Sequence, residues 1–174
     1  SEKIWLDEEG TIRHEGRVTL YDPNHISALL CNYSALKQNS YEDLNSDIRW
    51  LMEDLDNIIE KCLRDEYPLY YDLVRYKIDG ITNAEIREKL EEDYGISHSL
   101  EYLSSLYRNK IPKLIAEYAK EDWLNWYFTN IEKGTWKTCS KCGETKLAHN
   151  IYFSKNKTAK SGFYSICKVC RNSK

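Results

Sequence analysis

At 174 residues, with 41% hydrophobic and 30% charged side chains, the chain can hold one core plus a small module, or two small domains. It contains no apolar run long enough to cross a membrane and opens on no basic-then-apolar leader. The net charge of −3 hides a division: residues 134–174 carry eight lysines and Arg171 against the single acid Glu144, and residues 1–133 are strongly acidic. A basic module on an acidic body predicts a tail that meets nucleic acid and a body with another task; the plain alternative is a solvated lysine-rich surface.

In chain order, Ile4, Leu6 and Ile12 flank a turn ending at Gly10, which predicts a short hairpin. Asp22-Pro23 reads as an N-cap and first helical residue, opening a helix to about Gln38. Ser40 reads as the start of the next, whose Leu44, Ile48, Leu51, Leu55, Ile58, Ile59 and Cys62 recur at helical spacing to about Asp65. Its other face is acidic (Glu42, Asp43, Asp47, Glu53, Asp54, Asp56, Glu60), which suits a solvated surface or a docking face for a basic protein partner. Pro68 opens a helix that stops at Asp79-Gly80. Thr82-Asn-Ala-Glu85 is a capping box before a short helix over 84–90. An acidic turn, Glu91 to Gly95, leads to a longer helix from Ser97 or Ser99, which Pro112 should kink or split. The aromatic run Trp123 to Phe128 is expected to close the helical body, and Glu132 to Thr135 to link it to the tail. The predicted organisation is therefore mainly α, with a helical body over 1–133 and a small β-hairpin zinc module over 134–174. Cys31 and Cys62 stand alone in helical patterns and read as small buried residues.

The strongest motif is Cys139-Ser-Lys-Cys142, a 24-residue gap, then Cys167-Lys-Val-Cys170. Two C-x-x-C pairs at this separation suit one tetrahedral four-thiolate zinc site, with two disulfides or four free thiols as the alternatives. Such a site leaves no open position for water, so one zinc would be structural. Thiolate ligands imply a reducing compartment, and a cytoplasmic location in a bacterium or phage-infected host is expected. The chain opens on Ser1 rather than Met, so an initiator or longer segment is expected ahead of it.

Residues 73–115 resemble a helix-turn-helix, in particular the C-terminal promoter-reading region of bacterial sigma factors and related response-regulator domains. The likeness rests on Gly80 to Leu90, Gly95 to Leu100 and Leu106 to Ile111. It implies a second helix whose His98, Ser99, Glu101, Tyr102, Ser105 and Arg108 face the major groove, with Arg108, Asn109 and Lys110 on bases or phosphates. Without DNA, the same unit would be a packing element.

Thr138 to Lys146, Phe153 to Lys157 and Gly162 to Asn172 resemble a treble-clef zinc finger of phage proteins, found ahead of the core in junction-resolving and HNH-type endonucleases. The resemblance implies a first-pair knuckle, a hairpin of 151–153 against 163–166, and a second pair at a helix start. A nuclease also needs a general-base His and metal ligands. His149-Asn150 has only Glu144 nearby as a carboxylate, so a non-enzymatic protein is expected, with a nuclease fragment as a further alternative. Lys141, Lys146, Lys155, Lys157, Lys160, Lys168 and Arg171 are candidate nucleic-acid contacts, interleaved with Tyr152, Phe153, Phe163 and Tyr164. At least two of those rings should form the core of the module. The leading expectation is a phage- or mobile-element-type binder of double-stranded DNA serving transcription, packaging or recombination. The alternative is an adaptor or inhibitor whose acidic body binds a nucleic-acid enzyme.

Overall fold

The computed structural model describes residues 3–15, 18–42 and 47–173. Asp43, Leu44 and Lys174, and the side chains of Ile4 and Glu42, lie outside the described residues. The protein is mainly helical, with two small antiparallel hairpins and a cysteine cluster. It forms two compact units. One runs to Ala119; the other takes in Lys3–Glu15 and the residues from Lys120 onward. The division therefore falls at 119/120 rather than at the expected 133/134.

The first unit opens with α1 (Pro23–Cys31), capped by the Asp22 carboxylate on the Asn24 N–H. The sequence predicts one helix to about Gln38, but the chain breaks at Asn32. Its N–H and side-chain amide both donate to the Ala28 carbonyl, a local bond that competes with the helical ladder. The next helix, α2 (Tyr33–Glu42), contains Ser40 rather than starting from it; the buried hydroxyl donates to Lys37 O. α3 (Asp47–Leu63) buries Met52, Leu55, Ile59, Cys62 and Leu63. Three acids of its acidic face are engaged within the unit: Glu53 pairs with Arg49, Asp56 with Lys37 and Tyr33, and Glu60 with Arg64 and Tyr71.

α4 (Pro68–Ile78) begins and ends where Pro68 and Asp79-Gly80 predict. The Thr82–Glu85 capping box forms in both directions and starts α5 (Asn83–Tyr94). This helix runs a full turn beyond Leu90, so the acidic residues 91–94 are helical and not a turn. Gly95, at φ +68°, ends it in the left-handed region that favours glycine. Ser99 then caps α6 (Leu100–Ser105) on the Tyr102 N–H.

α6 passes into α7 (Ile111–Asn130) through one π-helical turn, Leu106–Lys110, where the Ile111 N–H reaches back to Leu106 O. The expected split at Pro112 thus appears as a widened turn. Proline removes one donor and crowds the carbonyl four residues back, and a wider turn accommodates both. Leu103, Leu106, Tyr107, Ile111 and Ile115 pack against Ile26, Leu55, Leu63, Leu73, Ile86 and Leu90 in one core. The Tyr107 hydroxyl donates to Leu30 O at 2.7 Å, and burial pushes its pKa well above that of a free phenol. Cys62 is buried there, its thiol pushed up to about 11 by burial, whereas Cys31 is exposed, contrary to its expected burial.

The second unit begins with β1 (Lys3–Leu6) paired to β2 (Ile12–Glu15), with Leu6 opposite Ile12. The Asp7 carboxylate organises the turn by accepting from the Glu9 and Thr11 N–H groups and from Arg13. Those bonds, first that from Thr11, hold its pKa below the usual carboxylate range. Ile12, Leu124 and Leu147 form a small core, with Leu6, Trp123, Phe128 and Tyr152 against it. The aromatic run therefore closes this unit and not the helical body. Gly134 is required here by close approach, since a Cβ would lie 2.8 Å from Phe128 Cβ and 3.0 Å from Leu147 Cδ1. Of the expected linker, Gly134 is thus packed, while Glu132, Lys133 and Thr135 are exposed.

Candidate metal centre and basic surface

The first cysteine pair sits in the turn between β3 (Trp136–Thr138) and β4 (Thr145–Leu147), which pair antiparallel from Trp136↔Leu147 to Thr138↔Thr145. Gly143, at φ +75°, completes the turn, with its N–H on Cys139 O. The second pair lies at the start of α8 (Lys168–Asn172), with Cys167 as N-cap. Between them the chain makes a tight excursion: Lys155 bridges Phe163, and Asn156 N–H donates to Gly162 O. The expected pairing of 151–153 with 163–166 is therefore displaced. Residues 149–153 instead form turns, with the Tyr152 and Phe153 N–H groups both bonded to His149 O. Ser140 N–H on Ser165 O brings the two pairs together.

The four Sγ atoms of Cys139, Cys142, Cys167 and Cys170 all lie within 4.8 Å of one another. Four sulfurs 2.3 Å from a shared ion would stand ~3.8 Å apart, so the cluster closes on a metal with little movement. Its hydrogen bonds suit thiolates. Cys139 Sγ accepts from the N–H groups of Cys142, Cys167 (3.3 Å) and Lys141 (3.4 Å), which hold its pKa down to about 6. The Cys170 N–H lowers that of Cys167. Burial and then the neighbouring sulfurs push Cys170 up to about 12. Four thiolates so close repel one another unless a cation lies among them, so a metal ion could hold the cluster together. Lys146 adds partial compensation, with Nζ 3.7 Å from Cys167 Sγ and 3.3 Å from Glu144.

That contact gives Lys146 a structural place: its side chain is 17% exposed. Lys141, Lys155, Lys157, Lys160 and Arg171 are exposed, and Lys168 is half-buried. Lys141 Nζ donates to Cys170 O at 3.3 Å, beside Arg171. Of the four rings, Phe153 is fully buried against Cys139 and Cys167, and Tyr152 and Phe163 pack around it. Tyr164 remains 42% exposed, with the Arg171 guanidinium 4.1 Å from its ring centroid.

His149 is a structural residue. Its Nδ1 accepts from the Ile151 N–H, and its Nε2 bonds Gly10 O at 2.5 Å, joining the turn of the first hairpin to this module. Both ring nitrogens are thus occupied by main-chain groups.

The residues expected to face DNA in the first unit divide between two patches. Ser105, Arg108 and Asn109 are exposed and, with Leu100, Glu101 and Ser104, line a shallow concavity; Lys110 is exposed on the same π turn. Tyr102 and His98 belong elsewhere: their rings meet at 4.8 Å with a 33° tilt, and Tyr102 acts electrostatically on Tyr70, which stacks on Tyr67 at 5.6 Å. The Ser99 hydroxyl is occupied by its capping bond. Sequence reasoning missed the tyrosine patch, because Tyr67 and Tyr70 lie about thirty residues from Tyr102. It also missed the Tyr164–Arg171 pair and the His149 bond to Gly10.

Comparison with protein-family models, with curated proteins and with solved structures finds no match to this chain. Among the described residues no helix is long and apolar enough to cross a membrane.

Proposed function

We propose that Cys139, Cys142, Cys167 and Cys170 hold one structural zinc ion and that the basic module built on it binds nucleic acid. The observation that carries this reading is the convergence of four sulfurs beneath a surface bearing Lys141, Lys155, Lys157, Lys160, Lys168 and Arg171. A closed set of four soft donors suits zinc and leaves no position for a substrate or water, so the metal folds the module rather than catalysing. In this reading the module is a treble-clef finger. α5 and α6 are a helix-turn-helix that lays Ser105, Arg108, Asn109 and Lys110 against duplex DNA, in a phage or mobile-element setting of transcription, packaging or recombination. Glu101 beside Arg108 favours base-edge reading over simple phosphate attraction.

The test is the salt dependence of binding. Changing Lys155, Lys157 and Lys160 together to Gln removes up to three phosphate contacts, so the slope of log K against log salt on duplex DNA should fall by roughly 2–3. An unchanged slope shows that these lysines only solubilise the module.

A second reading, a protein-binding adaptor, is favoured by the exposed rings of Tyr67 and Tyr102, with half-buried Tyr70 stacked on Tyr67, on an acidic unit. Exposed tyrosines are common anchors of protein interfaces, and surrounding acids select a basic partner. Complex formation that survives nuclease treatment and is lost in Tyr102→Ala would support it.

A further inference from the structure

We infer that Tyr164, braced by Arg171, is a stacking platform for one unpaired nucleobase, so that the zinc module prefers single-stranded DNA or RNA to duplex. This rests on the proposed nucleic-acid binding of the module and specifies what that surface takes.

Of Tyr152, Phe153, Phe163 and Tyr164, the first three pack into the interior of the module and Tyr164 is presented to solvent among the cations; Trp136, on β3, is also exposed. Its position is set from two sides. The Tyr164 N–H donates to Ser154 O at 3.0 Å, fixing the backbone beside Lys155. The Arg171 guanidinium lies 4.1 Å from the ring centroid, a cation–π arrangement that holds the ring and adds positive charge. Lys141 is held on the carbonyl of Cys170, the residue before Arg171, and Lys155 lies across the Phe163 bridge. An aromatic face bordered by cations is the combination that grips a strand without base pairing: the cations follow phosphates and the ring takes a base.

Duplex nucleic acid cannot use the ring in this way, because each base face is already covered by its neighbours in the stack. The cations alone would then act on a duplex, and the ring would add nothing. Unpaired bases, in DNA or RNA alike, gain the stacking contribution.

The experiment uses the full, zinc-loaded chain with three fluorescent probes of equal length: an oligothymidylate, an oligouridylate and a duplex DNA. Tyr164→Leu keeps apolar bulk but removes the π face, and Tyr164→Phe keeps the face and removes the hydroxyl. Metal content and the exchange protection of β3–β4 establish that each variant is folded. The expected result is that Tyr164→Leu weakens binding of a single-stranded probe by roughly tenfold, leaves the duplex within about twofold, and that Tyr164→Phe restores the loss. Comparing the thymidylate and uridylate arms assigns the site to DNA, RNA or both. Equal losses on single strand and duplex, or no loss on either single strand, overturn the inference. If Tyr164→Leu loses its metal, Arg171→Lys takes its place: it keeps the charge, loses the planar brace, and must also weaken the single-stranded probes selectively. Salt-dependent duplex binding with no Tyr164 effect on either single-stranded probe refutes the platform alone; no binding to any probe refutes the proposed function with it.

Discussion

Leu147 is the residue through which the C-terminal unit can be tested as a unit. It is 2% exposed, sits on β4 beside the metal-binding turn, and packs with Ile12 of the N-terminal hairpin and Leu124 of α7. Gly134 closes the same space, with its absent Cβ position 3.0 Å from Leu147 Cδ1. Leu147→Ala removes three carbons from a site walled by separate chain segments, none of which can move in alone without disturbing another contact. A buried Leu→Ala substitution costs about 2–5 kcal/mol, and limited collapse places this one near ~3 kcal/mol. That is roughly a hundredfold increase in the opening constant of the unit. Hydrogen exchange read by peptide on the metal-loaded protein should show faster exchange in β1 and β2 as well as in β3 and β4, with α3 to α5 unchanged. If the hairpin over residues 3–15 keeps its protection while β3–β4 loosens, it is not held by this core and the assignment of the N-terminal strands to the C-terminal unit is wrong.

Changing Cys167 to Ser should abolish metal retention and unfold residues 136–172 while α1 to α5 keep their exchange protection; metal analysis and exchange on the same sample decide it, and retained metal would remove Cys167 from the ligand set. Thiol titration should proceed in steps: exposed Cys31 first, the four clustered cysteines only after chelation, and buried Cys62 only on unfolding, so rapid labelling of the cluster in freshly purified protein would argue against bound metal. Metal affinity should rise with pH, because thiols must lose protons to bind, and proton release on metal addition measures this directly. Thr82→Ala removes a two-way cap and should cost α5 about 1 kcal/mol in denaturant titration, with a loss below a few tenths showing that packing alone holds the helix start.

The elements legible in the sequence were those set by local chemistry. Pro68, the Thr82–Glu85 box, Asp22-Pro23 and the strands around Gly10 each satisfy or terminate backbone bonds within a few residues, and each stands where its residues predict. α-Helix lengths are less legible. Asn32 broke a helix through a side-chain bond to Ala28 that competes with many similar options, and Glu91 to Tyr94 stayed helical because Gly95, not their charge, ends α5. The cysteine cluster was legible because ligand spacing is itself a local signal, whereas Lys146 was misplaced: its thiolate neighbour lies 21 residues away in the chain.

The boundary error has a more general cause. Charge changes sign near residue 134, but packing divides the chain at Ala119 and recruits the N-terminal hairpin. Charge records which surface the solvent or a partner meets; it carries little information about which apolar faces meet each other. The C-terminal unit needed apolar area that its lysine-rich segment does not contain, since Phe153 and its neighbours make only a small cluster around the sulfurs. That area comes from Leu124, Trp123 and Phe128 on the acidic side of the charge boundary and from Ile12 at the other end of the chain. The Gly10–His149 bond and the Tyr152 hydroxyl, held between Glu121 and Asn125, tie the same pieces together by polar contacts. A module cut at residue 134 would therefore keep its metal ligands and its lysines but lose most of the core that supports β4. Nucleic-acid binding measured on such a fragment would confound weakened folding with weakened contact, and the whole chain is the proper object for locating the binding surface.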